Sequence, residues 1–154
     1  MALHLKSTGI DFTDFSDATE SSELLDDYEE GSWTPTNTNS GERLTRRNGF
    51  YTKFGRVVEC RGDILVINTT STTNLPTAGA MGGLPFNSSN EITNDSWGAG
   101  GGWVTYSNGF SSSAIPSCIV NSNSSTFWWY TGHAVKQLPS NKNAKFTILY
   151  TASA

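Results

Sequence analysis

The sequence predicts an all-β protein, with a single β-sandwich or jelly-roll-like domain. Three observations support this: β-branched and aromatic residues occur in short runs, Gly, Ser, Thr and Asn are abundant between the runs, and only 16% of the 154 residues are charged. Strands favour β-branched and aromatic residues, and sandwiches join many short strands by polar turns. The composition therefore argues against a helical bundle, and the length is sufficient for one domain with its own core.

The N-terminal part of the chain differs sharply in charge from the rest. Residues 1–31 carry a net charge of −8, whereas residues 32–154 carry +4. We therefore predict an extended, acidic N-terminal arm (1–31) and a β-sandwich body (32–154). Such an acidic segment buries too little apolar surface to fold alone. It can lie on its own body, on a neighbouring subunit or on another basic surface. It is not expected to bind nucleic acid, because phosphate would repel it.

Apolar residues interrupt the acidic arm and its junction with the body. These predicted partner-binding anchors are Ile10, Phe12, Phe15, Leu24, Leu25, Tyr28 and Trp33. Side chains of this kind stabilise a complex when they enter pockets on a partner. Residues 17–27 could form a short helix, capped by Ser16 or Asp17.

The body is predicted to contain about eight to ten short strands. The predicted strands cover residues 32–37, 50–54, 56–68, 103–106, 114–120, 126–131 and 145–151, and residues 84–86 re-enter the body. Asn48-Gly49 is typical of a tight hairpin turn, and Gly55 of a turn or bulge. We expect a bulge near Gly62, because the apolar residues around it do not alternate cleanly. GAGGG at residues 98–102 is predicted to be a flexible link.

The residues that could carry chemistry show no catalytic or metal-binding spacing. Cys60 and Cys118 lie in apolar strand-like runs and are predicted to be buried free thiols, with a disulfide as the alternative. His4 and His133 are distant from each other in sequence and give no zinc spacing. We therefore predict no catalytic residue, no metal ligand and no cofactor.

The carboxylates in residues 26–30 are a second possible site. Adjacent exposed acids lack the fixed separation in a cleft that a glycosidase needs, so we predict no enzyme. Calcium is an alternative, although the DxDxDG spacing is missing. The simplest interpretation is an acidic linker that docks on basic side chains such as Arg43, Arg46 and Arg47.

The tryptophans leave two interpretations open. Trp97, Trp103 and Trp129 could lie on the surface and stack on sugar rings, or aromatic residues could form a core and an interface. Trp128 and Trp129 are adjacent, so in a strand they point to opposite faces and one of them can be buried.

Four motifs resemble a known family. LLDDYEEGSWTP ends at Pro35 and is followed by YTKFGRVV (51–58), GLPF (83–86) and a closing strand (146–151). This order resembles the β-domain of fibre, appendage and capsid-decoration proteins of tailed bacteriophages, which carry LDDYEEGTWTP, YTKIGRVV and GLPF.

The resemblance implies a virion structural protein assembled in a bacterial cytoplasm. Domains of this family are commonly trimeric, so it also implies a homotrimer. Our first hypothesis is a capsid decoration (cement) protein or short head appendage that holds the major capsid protein through its arm. The second is a tail-fibre tip that binds host glycans and attaches to a tail adaptor, and the third is a free carbohydrate-binding module. We predict no membrane span and no signal peptide, since no apolar run is long enough.

Overall fold

The structure is a computed structural model that describes residues 4–6, 9–11, 28–38, 43–67, 80–90, 97–110, 116–131, 134–135, 138 and 141–153. The prediction of an all-β protein is confirmed, because the described residues form twelve strands and no helix. In chain order the strands are β1 (His4–Lys6), β2 (Gly9–Asp11), β3 (Tyr28–Trp33), β4 (Thr36–Asn37), β5 (Arg43–Phe54), β6 (Val57–Ile67), β7 (Ala80–Gly82), β8 (Trp97–Ser107), β9 (Ser117–Asn121), β10 (Phe127–Thr131), β11 (Ala134–Val135) and β12 (Asn143–Thr151).

The body is one curled antiparallel sheet of ten strands. The strand order is β3-β5-β6-β12-β8-β9-β10-β7-β4, and β11 also pairs with β10. The strands at the two ends of this order, β3 and β4, are consecutive in the chain and are joined only by Thr34 and Pro35. The sheet must therefore curl until its two edges lie a few residues apart. The result is a half-barrel, consistent with the predicted sandwich-like domain.

Alternation of side chains places one face of the curled sheet inside. Along β12, Ala144, Phe146, Ile148 and Tyr150 are buried, and the residues between them are half-buried or exposed. This confirms the predicted common face of Phe146, Ile148 and Tyr150. Successive residues of a strand point to opposite faces, so the alternation follows directly from the strand geometry.

A row of two aromatic residues and two glycines crosses four neighbouring strands of the core. Trp33 of β3 lies opposite Gly49 of β5, Gly49 lies opposite Gly62 of β6, and Gly62 lies opposite Phe146 of β12. A Cβ atom on Gly49 would overlap the Trp33 indole, and one on Gly62 would overlap the Phe146 ring. The two rings meet edge to face, 6.2 Å apart between centroids. The glycines thus provide the space that these rings fill.

This row explains why two sequence predictions are wrong. Asn48-Gly49 is not a hairpin turn but lies within β5, and the register of β6 continues through Gly62 without a bulge. A glycine within a strand can mark a turn, a bulge or a closely packed neighbour. Here each of the two glycines marks a closely packed neighbouring side chain. The turn between β5 and β6 is at Gly55, as predicted, with φ of +55°.

The GAGGG segment is also part of a strand, which corrects its prediction as a flexible link. Gly100 and Gly102 of β8 lie opposite Tyr150 and Ile148 of β12. A Cβ on either glycine would overlap the β12 backbone. The glycine run therefore permits a close approach of two strand backbones and does not act as a hinge.

The described part of the arm consists of two short strands. β1 and β2 form an antiparallel hairpin in which Leu5 lies opposite Ile10. Tyr28 is the first residue of β3 and pairs with Phe54, so residues 28–31, which we had placed in the arm, belong to the sheet of the body. The predicted short helix over 17–27 lies outside the described residues.

Candidate functional site

The outer face of the sheet, opposite the core, is strongly apolar. The described residues include seven large hydrophobic side chains that are exposed: Tyr28, Phe50, Phe54, Val57, Trp103, Tyr106 and Leu149. All seven lie on the five neighbouring strands β3, β5, β6, β12 and β8. The strand registers place all of them on the same side of the sheet, opposite the buried row of Trp33 and Phe146. We call this surface the outer face.

The aromatic residues of the outer face are concentrated on its two flanks. Tyr28 on β3 pairs with Phe54 on β5, which in turn pairs with Val57 on β6, giving a continuous apolar row at one end of the strands. Phe50, also on β5, is the most exposed of the seven at 68%. On the other flank, Trp103 of β8 is 56% exposed. Because neighbouring strands lie about 4.8 Å apart, the β5 and β8 flanks are about 14 Å apart.

Charged side chains lie between these flanks and are largely paired with each other. Arg61 Nε donates to Glu59 Oε1 at 2.8 Å. Arg46 Nε lies 3.0 Å from Asp63 Oδ1. Arg46 thus has an acidic partner within the body, and the docking of the acidic linker on Arg43, Arg46 and Arg47 stays a prediction.

Two further charges lie on the outer face. Lys145 of β12 lies opposite Asp63. The Tyr28 hydroxyl donates to Glu30 Oε2 at 2.9 Å, and this hydrogen bond raises the pKa of the tyrosine. The described charged side chains of the face are thus three acidic and three basic, with no net charge.

An open groove of about 420 Å³ crosses the outer face. Phe50, Asn48, Arg61, Asp63, Lys145 and Thr147 are among the residues that line it. The groove combines one exposed aromatic ring with amide, guanidinium, carboxylate and ammonium groups. Such a surface can stack against a flat apolar group and hydrogen-bond to hydroxyl groups beside it.

The motifs that resemble the phage family meet at the place where the sheet closes. A Cβ on Gly31 would be 2.8 Å from the Tyr51 ring, so Tyr51 packs directly over this glycine. The Tyr51 ring also meets the Phe86 ring edge to face at 5.3 Å. The Tyr150 hydroxyl donates to the Phe86 carbonyl at 3.0 Å. The described parts of the four motifs therefore pack together and stabilise the fold.

The predicted site residues are found in different environments. Trp103 is exposed on the outer face and Tyr28 is 54% exposed, so both are available to a partner. Trp33 and Trp129 are buried, which corrects their prediction as a partner-binding anchor and a surface aromatic, respectively. Trp33 Nε1 donates to the Arg61 carbonyl at 3.2 Å, and its ring covers Gly49.

The remaining predicted residues are described only in part. Ile10 lies in β2, opposite Leu5, and Trp97 begins β8, but their side chains lie outside the description. Phe12, Phe15, Leu24 and Leu25 lie outside the described residues altogether. The alternation prediction for Trp128 and Trp129 is confirmed, since Trp129 is buried and Trp128 is half-buried.

Sequence reasoning missed the importance of Phe50. Its strand was predicted, but Phe50 was treated only as a strand former. The sequence signal of its position was the spacing from Phe54, since residues four apart in a strand point to the same face. Tyr51 and Lys53 point to the opposite face, where Lys53 Nζ lies 5.7 Å from the centroid of the Phe86 ring.

Both thiols are free and buried, as predicted. Burial raises the pKa of Cys60 from its ordinary value of 9.0 to about 12. Burial raises the pKa of Cys118 as well. Because the thiolate is the nucleophilic form, neither cysteine is suited to catalysis. Among the described residues no cluster of three or more His, Cys, Asp or Glu side chains could hold a metal ion.

These thiols make the stability of the fold sensitive to alkaline pH. The neutral thiol is favoured in the folded state, so its contribution is complete below pH 9 and is lost as the pH rises towards 12. Between pH 7 and pH 10 we expect each thiol to reduce the free energy of unfolding by about 1–2 kcal/mol. Urea unfolding under reducing conditions at the two pH values measures this loss. The Cys60→Ala, Cys118→Ala double variant should lose about 3 kcal/mol less than the wild type over the same interval. An equal loss in both proteins would show that other groups cause it.

Comparison with known proteins gives a structural likeness. No protein-family model matches the chain, and no curated protein matches it. Among solved structures, the Dettilon tailspike protein (gp208) is similar, with a TM-score of 0.52 and 14% sequence identity. The likeness covers 81% of this chain and only 24% of that protein. At this identity it shows the fold alone. The part of the chain that the structure describes contains no helix that could cross a membrane.

Proposed function

We propose that this chain is a structural protein of a tailed-bacteriophage virion, assembled in the bacterial cytoplasm. The observation that carries the proposal is the closure of the sheet by the phage-like motifs, where Tyr51, Phe86 and Tyr150 meet. The likeness of the sheet to part of a phage tailspike protein supports it independently.

Within the virion, we propose that the protein is a capsid decoration (cement) or short head-appendage protein, present as a homotrimer and without enzymatic activity. Its arm would hold the major capsid protein. The support is the arm itself, a segment with a charge of −8 that contains the apolar residues Ile10, Phe12 and Phe15. Each anchor that enters a pocket could contribute roughly 1.5–3 kcal/mol before its ordering cost. Copies that grip neighbouring capsomers would stabilise the shell together.

A tail-fibre tip that binds host glycans is the second candidate function. The groove beside Phe50 favours it, because an aromatic ring next to Arg61 and Asn48 suits the flat face and hydroxyl groups of a sugar. The similar solved structure is itself a tailspike. In this case the arm would contact a tail adaptor and the outer face would point towards the host.

Labelled antibodies on intact particles separate these proposals. Label distributed over the head supports a decoration protein, and label at the distal end of the tail supports a fibre tip. Particles that carry the protein at neither place, when the same antibody detects it in the infected cell, would overturn the virion proposal.

Deleting residues 1–23 is expected to abolish attachment to the particle while the body remains folded. The body should persist because its first strand, β3, begins only at Tyr28. Co-sedimentation of the purified protein with particles that lack it measures attachment, and circular dichroism checks the fold. The Phe12→Ala, Phe15→Ala variant should weaken attachment more than Asp11→Asn, Asp14→Asn, because exposed ion pairs contribute only about 0–1 kcal/mol each. Full occupancy by the truncated protein would show that the arm is not the anchor.

A further inference from the structure

The outer face exposes a large area of apolar side chains to water. Side chains of this kind have areas of about 150–250 Å², and the seven exposed residues are each roughly half exposed. Together they present roughly 700 Å² of largely apolar surface, divided into two flanks by the charged side chains. Apolar patches of a few hundred Å² on a monomer often mark an interaction site.

This area is close to what a stable protein–protein interface needs. A standard interface buries about 800 Å² on each partner. The composition also fits, since Trp and Tyr are enriched in interfaces and the outer face contains Trp103, Tyr106 and Tyr28. The face is therefore large enough to account for one complete interface.

The charges of the face favour a copy of the same chain over a strongly charged partner. Glu59 pairs with Arg61 and Asp63 with Arg46, so most charges are already neutralised within the face. A second copy brings the same balanced charges and meets no net repulsion. An acidic partner, including an arm of charge −8, would find no net positive charge here.

We infer that a second copy of this chain packs against the outer face. The inference deepens the homotrimer proposed above and rests on it, but it does not depend on the virion assignment. Phe50 on β5 and Trp103 on β8 are the most exposed side chains of the two flanks, so we expect both flanks to enter this contact.

Sedimentation velocity of the full chain over a range of concentrations tests the inference. The wild type is expected to form one defined oligomer. Phe50→Asp and Trp103→Asp should each raise the dissociation constant at least ten-fold, because each places a charge in an apolar contact. The matched control is Asn123→Asp, which adds the same charge in the turn between β9 and β10, outside the five strands. It should leave the dissociation constant unchanged. Melting temperatures, measured at protein concentrations below the dissociation constant, check that each variant is folded.

Each outcome has a distinct meaning. A wild-type oligomer that is weakened by both face variants and not by the control supports the inference. An oligomer that neither face variant weakens overturns the inference but leaves the oligomeric state standing. A wild type that stays monomeric at all concentrations overturns both, while the virion assignment is still decided by the antibody labelling.

Discussion

Replacing Gly62 with alanine is expected to lower the free energy of unfolding by about 3 kcal/mol or more. The added methyl group would overlap the Phe146 ring. That ring cannot move aside easily, because its centroid lies 5.0 Å from that of Trp129, 5.3 Å from Phe127 and 6.2 Å from Trp33. Overpacking a dense core forces side chains out of their preferred rotamers or shifts the backbone. Urea unfolding followed by tryptophan fluorescence measures the effect.

Gly55→Asn is the matched control for this prediction. Gly55 lies in the turn between β5 and β6 with φ of +55°, and nothing lies within 4 Å of a Cβ placed there. Asparagine tolerates this left-handed conformation, so the cost should be below about 1 kcal/mol. If Gly62→Ala were no more destabilising than Gly55→Asn, the packing of Phe146 over Gly62 would be wrong.

Trp33→Ala should destabilise the protein by about 3–5 kcal/mol, the usual cost of removing a buried Trp. The variant loses the edge-to-face contact with Phe146 and leaves the Arg61 carbonyl without the indole donor. It also uncovers Gly49, on which the ring lies. Chemical denaturation at neutral pH, with the buried Trp129 as the fluorescent reporter, measures the loss.

Trp103→Ala is the matched control for Trp33→Ala. Trp103 is 56% exposed, whereas Trp33 is 6% exposed. Removing the exposed indole should change the stability of the monomer by no more than about 0.5 kcal/mol. Both variants must be compared at concentrations where the protein is monomeric, since assembly adds apparent stability. Equal losses would mean that Trp33 is not the core residue described above.

The fold class could be predicted from the sequence because strands leave a local signal. Phe146, Ile148 and Tyr150 recur at every second residue, and this period of two predicts that they share one face of a strand, although Leu149 between the last two is also apolar. The closure of the sheet leaves no such signal. It depends on contacts between distant segments, such as Tyr51 with Phe86, and no local rule relates these positions.

Glycine was misinterpreted three times for one physical reason. At Gly49, Gly62 and residues 98–102, the sequence was interpreted as a turn, a bulge and a link, respectively. Glycine is needed wherever a side chain would not fit, and the sequence alone does not say whether the cause is the local backbone angle or a neighbour. At Gly49, Gly62, Gly100 and Gly102 the cause is a neighbour: Trp33, Phe146 or the β12 backbone. At Gly98 the cause is the local backbone, which has φ of +114°.

The candidate site was predicted only in part for a related reason. Whether a side chain is exposed depends on the whole fold. No local feature of the sequence distinguishes Trp103 from Trp129, yet the two lie on opposite faces of the sheet. Adjacent Trp128 and Trp129 could be assigned to opposite faces, but not to inside or outside. Phe50 and Trp103, 53 positions apart in the chain, become flanks of one surface only because β12 lies between β6 and β8.

The central position of β12 has a consequence for biosynthesis. Its neighbours, β6 and β8, are both made earlier, so the nascent chain first holds two groups of strands, β3-β5-β6 and β8-β9-β10-β7-β4, joined through Thr34 and Pro35. Domains fold as units during translation, and β pairing between distant segments is slow. Until Thr151 has left the ribosome, each group exposes an unpaired strand edge that can pair with a neighbouring nascent chain. A ribosome that stalls before residue 143 would therefore release two half-sheets with open edges, and these edges are what cellular quality control would have to mask.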